Sequence, residues 1–297
     1  MEKNVRSYEF ASAIIDYIKI AGISVRKAIA EEPNTPVEVL KFLSKDKESS
    51  VRLSVAKNYN TPAQSLALLS KDENFIVRKN VANNPSASAE TLMLLSKDKI
   101  AGVRCMVALN PSTSTETLAE LSMDEDKEVR KNVASKKNIS PEILAKLSKD
   151  ETSYVRYYVA SNLSTPTEIL VELFKDKNFA VYHGLAENPR TPVEIITELS
   201  KSEDTDTRSC VAFNPRTSAE ILDELSKDED WFVREYVAGN HNTPVKSLVE
   251  LSNDESSSIR FYVANNPNTP DEILAKLSKD KDNRVRRTAR NTLKHKS

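Results

Sequence analysis

Residues 35–60 read TPVEVLKFLSKDKESSVRLSVAKNYN, and nearly every other part of the chain repeats this pattern. Arginine recurs with a period of 26 residues, at positions 26, 52, 78, 104, 130, 156, 208, 234, 260 and 286. The one missing position, 182, holds a tyrosine. A fixed period between about 20 and 50 residues is typical of a stacked architecture in which each unit contacts its neighbours. The sequence therefore predicts a repeat array.

Composition narrows the class of protein. The 297 residues include 43 lysines and arginines and 44 aspartates and glutamates. This nearly neutral net charge argues against a protein that binds nucleic acid over its whole surface. The amino-terminal residues lack the apolar core of a signal peptide, and no apolar run approaches the ~20 residues that span a bilayer. Cys105 and Cys210 lie four repeats apart, which is beyond disulfide reach. We therefore expect a cytoplasmic protein that makes no membrane contact.

Each repeat begins with a helix-start pattern. Thr35 is the expected N-cap, Pro36 holds the first helical position, and Glu38 completes a capping box with Thr35. Leu40 and Leu43 follow at helical spacing and form an apolar stripe. The pattern predicts a short first helix.

A second short helix follows a polar loop. Val51, Val55 and Ala56 form its apolar stripe, with a spacing close to the helical period. Asn58 is expected to end this helix in the left-handed conformation that asparagine tolerates. Neither helix is long enough to be stable alone, so stability must come from stacking on neighbouring repeats. The prediction is an all-α solenoid of about eleven two-helix repeats.

An aspartate and an arginine separated by six residues recur in most repeats. A catalytic site needs one local constellation rather than a periodic copy, so we interpret these residues as a structural ladder. Aspartate and arginine would pair in it either within a repeat or between repeats. The ladder residues are Asp46, Arg52, Asp72, Arg78, Asp98, Arg104, Asp124, Arg130, Asp150, Arg156, Asp228, Arg234, Asp254, Arg260, Asp280 and Arg286.

The repeated pattern is Thr-Pro-x-Glu-x-Leu-x-x-Leu-x-x-Asp-x-x-x-x-Val-Arg-x-x-Val-Ala-x-Asn-Pro, well shown by residues 191–215 and 243–267. It resembles the variant leucine-rich repeat, a helical family, and its aspartate-to-arginine spacing also resembles HEAT repeats. The resemblance implies a right-handed solenoid of paired helices, one of them sometimes 3₁₀, that serves as a binding scaffold. Some relatives hold an iron–sulfur centre on an amino-terminal cysteine cluster. This chain has no cysteine before Cys105, so we predict no cofactor.

The two ends are expected to cap the array. In the amino-terminal segment, Ile14 and Tyr17 take the positions that Leu40 and Leu43 hold in a full repeat. The carboxyl-terminal segment is basic, which suits either a helix C-terminus or an anionic partner. The prediction is a single solenoid domain, residues 1–297, made of a degenerate cap (1–22), the repeats (23–283) and a basic cap (284–297).

One stretch departs from the repeat pattern. Phe174 replaces a serine, Tyr182 replaces the arginine, and Ser202 replaces the aspartate. Pairing within repeats would leave Asp176 without its arginine and Arg208 without its aspartate. Two interpretations stay open: a functional site that breaks local rules, or compensated drift in which Phe174 and Tyr182 pack on one another.

The outward positions of the second helices are rich in aromatic residues in the carboxyl half. In two-helix solenoids this helix normally lines the concave face, and small residues (Ala180, Gly184 and Cys210) lie between two aromatic groups. We predict a partner-binding groove, the alternative being that the rings stack on each other and extend the core. The candidate residues are Tyr154, Tyr157, Tyr158, Tyr182, His183, Trp231, Phe232, Tyr236, Phe261 and Tyr262.

Motifs that carry chemistry are missing from the pattern. There is no glycine-rich phosphate loop and no nucleophile motif, and His183, His241 and His295 are scattered. We therefore predict no catalytic residue and no metal site. The main hypothesis is a non-catalytic scaffold that binds a protein or peptide. The alternatives are a nucleic-acid-binding solenoid or HEAT-like DNA glycosylase, which Trp231 beside Asp230 faintly resembles, and a structural assembly protein.

Overall fold

The computed structural model describes the backbone of residues 2–296 and the side chains of residues 10–296. Met1 and Ser297, the outermost residues of the two predicted caps, lie outside the described residues. The described part of the chain forms 22 α-helices and no strand. The prediction of an all-α solenoid is confirmed, and both helices of each described repeat are α-helical.

First and second helices alternate along the chain. The first helices are α1 Glu2–Ile18, α3 Val37–Leu43, α5 Ala63–Leu69, α7 Ala89–Leu95, α9 Thr115–Leu121, α11 Pro141–Leu147, α13 Thr167–Phe174, α15 Val193–Leu199, α17 Ala219–Leu225, α19 Val245–Leu251 and α21 Asp271–Leu277. The second helices are α2 Ile23–Glu31, α4 Ser49–Lys57, α6 Phe75–Asn83, α8 Ala101–Leu109, α10 Lys127–Ala134, α12 Ser153–Ser161, α14 Phe179–Glu187, α16 Thr205–Phe213, α18 Trp231–Gly239, α20 Ser257–Asn265 and α22 Asn283–Lys296.

The chain packs as two compact units, Met1–Ile143 and Leu144–Ser297. Within each unit every second helix packs against the second helices of the adjacent repeats, and the first helices other than α1 and α11 contact the second helices on either side. Consecutive first helices approach each other less closely, apart from α1 and α3. The single domain over residues 1–297 stays a prediction.

The core consists of the two apolar stripes read from the repeat. Leu40 and Leu43 on α3, and Val51, Val55 and Ala56 on α4, are fully buried. Burying one such leucine or valine side chain stabilises the fold by roughly 1.5–3 kcal/mol. Helices of seven and nine residues cannot persist without that packing. The predicted core is thus the observed one.

The start of the first helix differs from the prediction. Pro36, rather than Thr35, is the N-cap of α3. The buried Thr35 hydroxyl donates to the carbonyl of Ile29 at the end of α2, and Thr61 donates to Val55 at 2.6 Å. The capping-box prediction was therefore wrong, because this threonine ties the two helices together. Where serine replaces the proline, its hydroxyl does accept from the N–H three residues on, at Ser88, Ser114 and Ser218.

The end of the second helix also differs. Asn58 has φ −72° and ψ 122°, which is extended rather than left-handed. The side chain of this asparagine bonds to the preceding repeat, as the equivalent residue Asn84 shows. Asn84 Nδ2 donates to the carbonyls of Ala56 and Asn58 at 2.9 and 3.0 Å. Asn84 Oδ1 accepts from the N–H of Ser86 at 2.9 Å. The asparagine side chain therefore bonds with the backbone of the preceding repeat. The same donor bonds recur at Asn58, Asn110, Asn188, Asn214, Asn240 and Asn266.

Within each compact unit, a ladder arginine reaches forward to the aspartate of the next repeat. Arg78 Nε and Nη2 donate to the Asp98 carboxylate at 2.6 and 3.1 Å, while Arg78 Nη1 donates to the carbonyl of Asp72 at 2.8 Å. The in-repeat aspartate thus contributes its backbone, and the next repeat contributes the carboxylate. We call one such Arg–Asp pair a rung. The rungs within the compact units are 26–46, 52–72, 78–98 and 104–124, and 156–176, 208–228, 234–254 and 260–280.

The forward pairing corrects the interpretation of the irregular stretch. Asp176 accepts from Arg156 Nε at 2.5 Å, and Arg208 Nε donates to Asp228 at 2.7 Å. Asp176 and Arg208 therefore keep charged partners, although each lacks one in its own repeat. Of the two pairings left open, the one between repeats is observed within the compact units, because stacking brings residues 20 positions apart into contact.

A single rung is replaced in this stretch. Tyr182 and Ser202 occupy the two positions that an arginine and its forward aspartate would hold, so both ends of one ion pair are substituted together. The Tyr182 ring stacks on Phe174, with ring centroids 5.5 Å apart and an interplanar angle of 26°. The charged contact has been exchanged for an aromatic one.

Gly184 brings two second helices unusually close in the same stretch. A Cβ atom at this position would lie 2.7 Å from the carbonyl oxygen of Tyr157 and 2.9 Å from the Cβ of Ala160. The missing side chain therefore lets α14 lie directly against α12. Gly184 is part of a helix–helix contact and does not open a space between the aromatic groups, which corrects that part of the groove prediction.

The first helix buries a different face from the one expected. Ala11 and Ile18 are buried, whereas Tyr17 is 54% exposed and Ile14 is half-buried. The prediction that Tyr17 takes a core position was wrong. The 17-residue helix α1 buries Ala11 and Ile18, which are two turns apart on one face, and Tyr17 lies outside that face. At the other end, α22 buries Val285, among others.

Removing Asp124 should destabilise the protein much more than removing Glu125, although both contact Arg104. Arg104 lies 2.7 Å from Asp124 Oδ2 and is buried, so Asp124→Ala leaves a buried charge and is expected to cost about 3 kcal/mol. The Glu125 side chain is 87% exposed, so Glu125→Ala should cost less than about 1 kcal/mol. Urea unfolding followed by circular dichroism measures both. Equal losses would contradict the ladder's structural role.

The ladder also predicts an acid limit to stability. Burial tends to raise the pKa of Asp98, but hydrogen bonds from Arg78 and the N–H of Ile100 outweigh it and lower the pKa. The pKa values of Asp46, Asp72, Asp228 and Asp280 are lowered in the same way. A carboxylate whose pKa is lowered by folding stabilises the folded state. This contribution is fully present at pH values above the unfolded-state pKa of about 3.9, and it is lost as the pH falls through the folded-state pKa.

Stability should accordingly stay level from about pH 7 to pH 5 and decline below about pH 4. Unfolding free energies measured at a series of pH values test this directly. A decline already complete at pH 5 would assign the acid sensitivity to other groups.

Gly184→Ala should destabilise the fold by about 1–3 kcal/mol, because the added methyl group has no room. Gly102→Ala is the matched control: it lies in α8, and its Cβ would have no neighbour closer than 4.0 Å. There the ordinary preference for alanine in helices should stabilise by up to about 1 kcal/mol. Thermal unfolding of both variants gives opposite signs if the α12–α14 approach depends on glycine.

Candidate functional site

The predicted partner-binding residues all lie on second helices of the second compact unit. Trp231, Tyr154 and Tyr262 are the exposed members, at 53%, 47% and 37%. The others are half-buried, namely Tyr157, Tyr158, Tyr182, His183, Phe232, Tyr236 and Phe261. The set therefore combines exposed rings with rings that support one another.

Three tyrosines of α12 form one self-packed group. Tyr154 stacks on Tyr157 with centroids 6.0 Å apart, and Tyr158 meets each of them edge-on at 5.0 Å. The hydroxyls of Tyr154 and Tyr158 lie 3.1 Å apart. These contacts fix the rings and leave Tyr154 facing solvent.

Tyr157 connects this group to polar side chains on α14. Its hydroxyl donates to Glu187 Oε2 at 3.0 Å, and its ring centroid lies 5.7 Å from that of His183. Burial, followed by the negative charge of Glu187, raises the pKa of Tyr157 well above its usual value. The hydroxyl therefore stays protonated and acts as a donor at neutral pH.

His183, Glu187 and Cys210 come together next to Tyr157. One donor atom from each of the three side chains lies within 4.8 Å of the other two, and His183 Nε2 is 3.5 Å from Glu187 Oε1. Burial and then the charge of Glu187 raise the pKa of the Cys210 thiol to about 12. The sequence prediction treated the histidines as scattered. It missed this cluster because stacking joins α14 to α16.

A groove lies between the carboxyl-terminal parts of α16, α18 and α20. It has a volume of about 540 Å³, and Phe213, Tyr236, Gly239, His241 and Tyr262 are among its lining residues. Phe213 is 65% exposed and meets the Tyr236 ring edge-on at 5.5 Å. A Cβ at Gly239 would lie 3.4 Å from the Tyr262 ring, so the glycine keeps the groove open.

Sequence reasoning missed part of this groove. Phe213 and Gly239 occupy the outward position that Lys57 holds in its own repeat, yet neither was among the candidate residues. The sequence does contain a sign of the groove, since adjacent repeats have a phenylalanine and a glycine at this outward position. The sequence analysis named His241 only as one of three scattered histidines. Tyr236 and Tyr262 are the candidates that do line the groove.

The remaining candidates lie elsewhere on the same unit. Trp231 packs edge-on against Phe232 at 5.7 Å, and Phe232 lies 4.9 Å from Tyr236. The carboxylate of Asp230 accepts from the N–H of Phe232 at 2.8 Å and so caps α18. Phe261 meets Tyr262 at 5.4 Å, while Tyr182 belongs to the Phe174 contact.

Among the residues that the structure describes, none of the helices combines the length and the apolar character needed to cross a membrane.

Comparison with solved structures shows a similar fold. A protein described as a leucine-rich repeat variant with a novel repetitive structural motif is 24% identical, over 75% of this chain and 88% of that one, with a TM-score of 0.52. An engineered protein is 19% identical, over 92% of this chain and 95% of that one, with a TM-score of 0.37. No curated protein matches the sequence. The family model of the leucine rich repeat variant matches residues 101–126. These comparisons agree with the resemblance predicted from the sequence: one repeat matches the variant leucine-rich model, and the likeness to the solved structure shows that the fold is an α-solenoid of helical repeats.

Proposed function

We propose that this chain is a non-catalytic scaffold that binds another protein or a peptide through the second-helix face of its second compact unit. The groove of about 540 Å³ beside Phe213, Tyr236 and Tyr262 carries the proposal. Aromatic rings that are already held by their neighbours lose little conformational freedom on binding. Tyrosine and tryptophan are also the residues most often found as interface anchors.

The helix packing supports placing this face on the inside of the stack. Within the second compact unit, consecutive second helices approach one another more closely than consecutive first helices do. In a curved stack the more closely spaced layer lies on the concave side. This agrees with the proposal that α12 to α20 present the binding face.

The chemistry of the groove indicates what it would accept. Its volume fits one or two bulky side chains of a ligand rather than a folded domain. Phe213 and Tyr262 offer apolar walls, and Glu235 adds a negative charge to the lining. Glu187 lies on the same set of second helices. We therefore propose a peptide segment with a large apolar residue next to a basic one, a preference that the phosphates of nucleic acids would not satisfy.

Selection of a random peptide library on the wild-type protein should enrich such segments. The double variant Phe213→Ser/Tyr262→Ser is expected to weaken the selected peptides by roughly 30-fold, the effect of losing about 2 kcal/mol of hot-spot contact. Gly239→Leu should weaken them as well, because the new side chain fills the groove. Isothermal titration calorimetry measures the affinities.

Phe179→Ser is the matched control, since Phe179 is 57% exposed on α14 and lies outside the groove lining. It should leave peptide affinity unchanged, and all variants should keep the wild-type melting temperature within a few degrees. The proposal fails if no peptide is enriched, or if the selected peptides bind the double variant and wild type equally well.

A further inference from the structure

We propose that His183, Glu187 and Cys210 form a binding site for a divalent metal ion of the zinc class. One donor atom from each residue lies within 4.8 Å of the other two, and His183 Nε2 is 3.5 Å from Glu187 Oε1. A tetrahedral zinc site places neighbouring donors roughly 3.3–3.6 Å apart. The nitrogen and oxygen already have this separation, and the sulfur, which lies within 4.8 Å of both, needs to move by at most about 1.5 Å to reach it.

The three donors stand on rigid elements. His183 and Glu187 are four residues apart on α14 and therefore share one face of the helix, the spacing used by helical zinc motifs. Cys210 approaches from α16, which packs directly against α14. Imidazole, thiolate and carboxylate together select a borderline-soft ion such as Zn²⁺ or Co²⁺ over Mg²⁺ or Ca²⁺.

The chain contains its own reference for this arrangement. Six repeats earlier, Lys27, Glu31 and Ser54 occupy the same three positions of the repeat. Lys27 Nζ lies 3.6 Å from Glu31 Oε1, and the Ser54 hydroxyl donates to the same oxygen at 3.0 Å. There the lysine neutralises the carboxylate. Histidine and cysteine in place of lysine and serine remove that fixed charge and supply two ligands, without a change in the backbone positions.

The surroundings complete the site. The hydroxyl of Tyr157 donates to Glu187 Oε2 at 3.0 Å and leaves Oε1 turned towards His183. Outer hydrogen bonds of this kind orient metal ligands. The side chains of His183 and Glu187 are 36% and 38% exposed, so an ion can enter and water can fill the fourth position.

The metal would bind the thiolate form of Cys210, since a coordinating thiol is deprotonated. On binding, the thiol proton passes to the solvent and the sulfur lone pair forms the metal bond.

The site also lies where the ladder lacks a rung. Elsewhere in the unit an arginine on one second helix is joined to the aspartate just before the next second helix. Between α14 and α16 that ion pair is replaced by Tyr182 and Ser202. A metal ion held by His183, Glu187 and Cys210 would join the same two helices.

The test uses Zn²⁺ and Co²⁺ with the full chain. Wild type should retain one Zn²⁺ per molecule after dialysis, and Co²⁺ should give a thiolate-to-metal charge-transfer band. Cys210→Ser should abolish the band and weaken Zn²⁺ binding at least tenfold, measured by competition with a chromophoric chelator. Cys105→Ser changes the other cysteine, which is buried in α8, and should leave both properties intact.

Two further variants separate binding from folding. His183→Lys/Cys210→Ser rebuilds the Lys27–Glu31–Ser54 arrangement, and it should keep its helical circular dichroism while binding no Zn²⁺. Tyr157→Phe should weaken Zn²⁺ binding roughly tenfold and keep the cobalt–thiolate band. The proposal is overturned if wild type shows no thiolate band with Co²⁺, or if the two cysteine variants lose Zn²⁺ affinity equally.

Discussion

The fold depends on polar side chains that bond across the boundary between repeats. Within each compact unit, asparagine amides reach two backbone carbonyls of the preceding repeat and arginines reach the aspartate of the next, as Asn84 and Arg78 do. These groups are buried, and leaving one of them without a partner costs about 1–3 kcal/mol. Because partners exist only at fixed positions, a single inserted residue would break bonds on both sides. This requirement accounts for the unbroken period of 26 residues.

Substitutions within the array follow from the same constraint. Lys136 stands where other repeats have asparagine, and its ammonium group donates to the carbonyls of Ala108 and Asn110 at 3.3 and 2.6 Å. Thr292 takes that position near the carboxyl end, and its hydroxyl donates to the carbonyl of Ala264 at 2.8 Å. The residue type changes while the donor is kept. At Tyr182 and Ser202, by contrast, donor and acceptor were both replaced, so neither is left buried without a partner.

The sequence predicted the helices and the core, which depend on local periodicity. It did not predict the contacts between repeats, which depend on how the repeats stack. Two helices per repeat and a core of Leu40, Val51 and their equivalents follow from spacing alone. Whether an arginine pairs six residues back or 20 residues forward cannot be read from a repeat, since both partners recur with the same period. The approach of Cys210 to Glu187, 23 residues earlier, has the same origin. Ser54 and Glu31 show that offset in the first unit, so one known contact would have predicted the other.

The constraint also explains where specific chemistry is placed. Positions that bond to a neighbouring repeat must keep a donor or an acceptor. New properties therefore arise at the outward positions of the second helices, and at the rung where the arginine and the aspartate were both replaced. Both conditions meet on α14, which carries Tyr182, the close contact at Gly184, and two of the three donors of the proposed metal site. The third donor, Cys210, lies on α16. Since Phe213 on α16 lines the groove, an ion that fixes α16 relative to α14 would also fix one wall of the proposed binding site. Any resulting preference of the peptide for the metal-bound form must be matched by an equal increase in metal affinity when the peptide is bound.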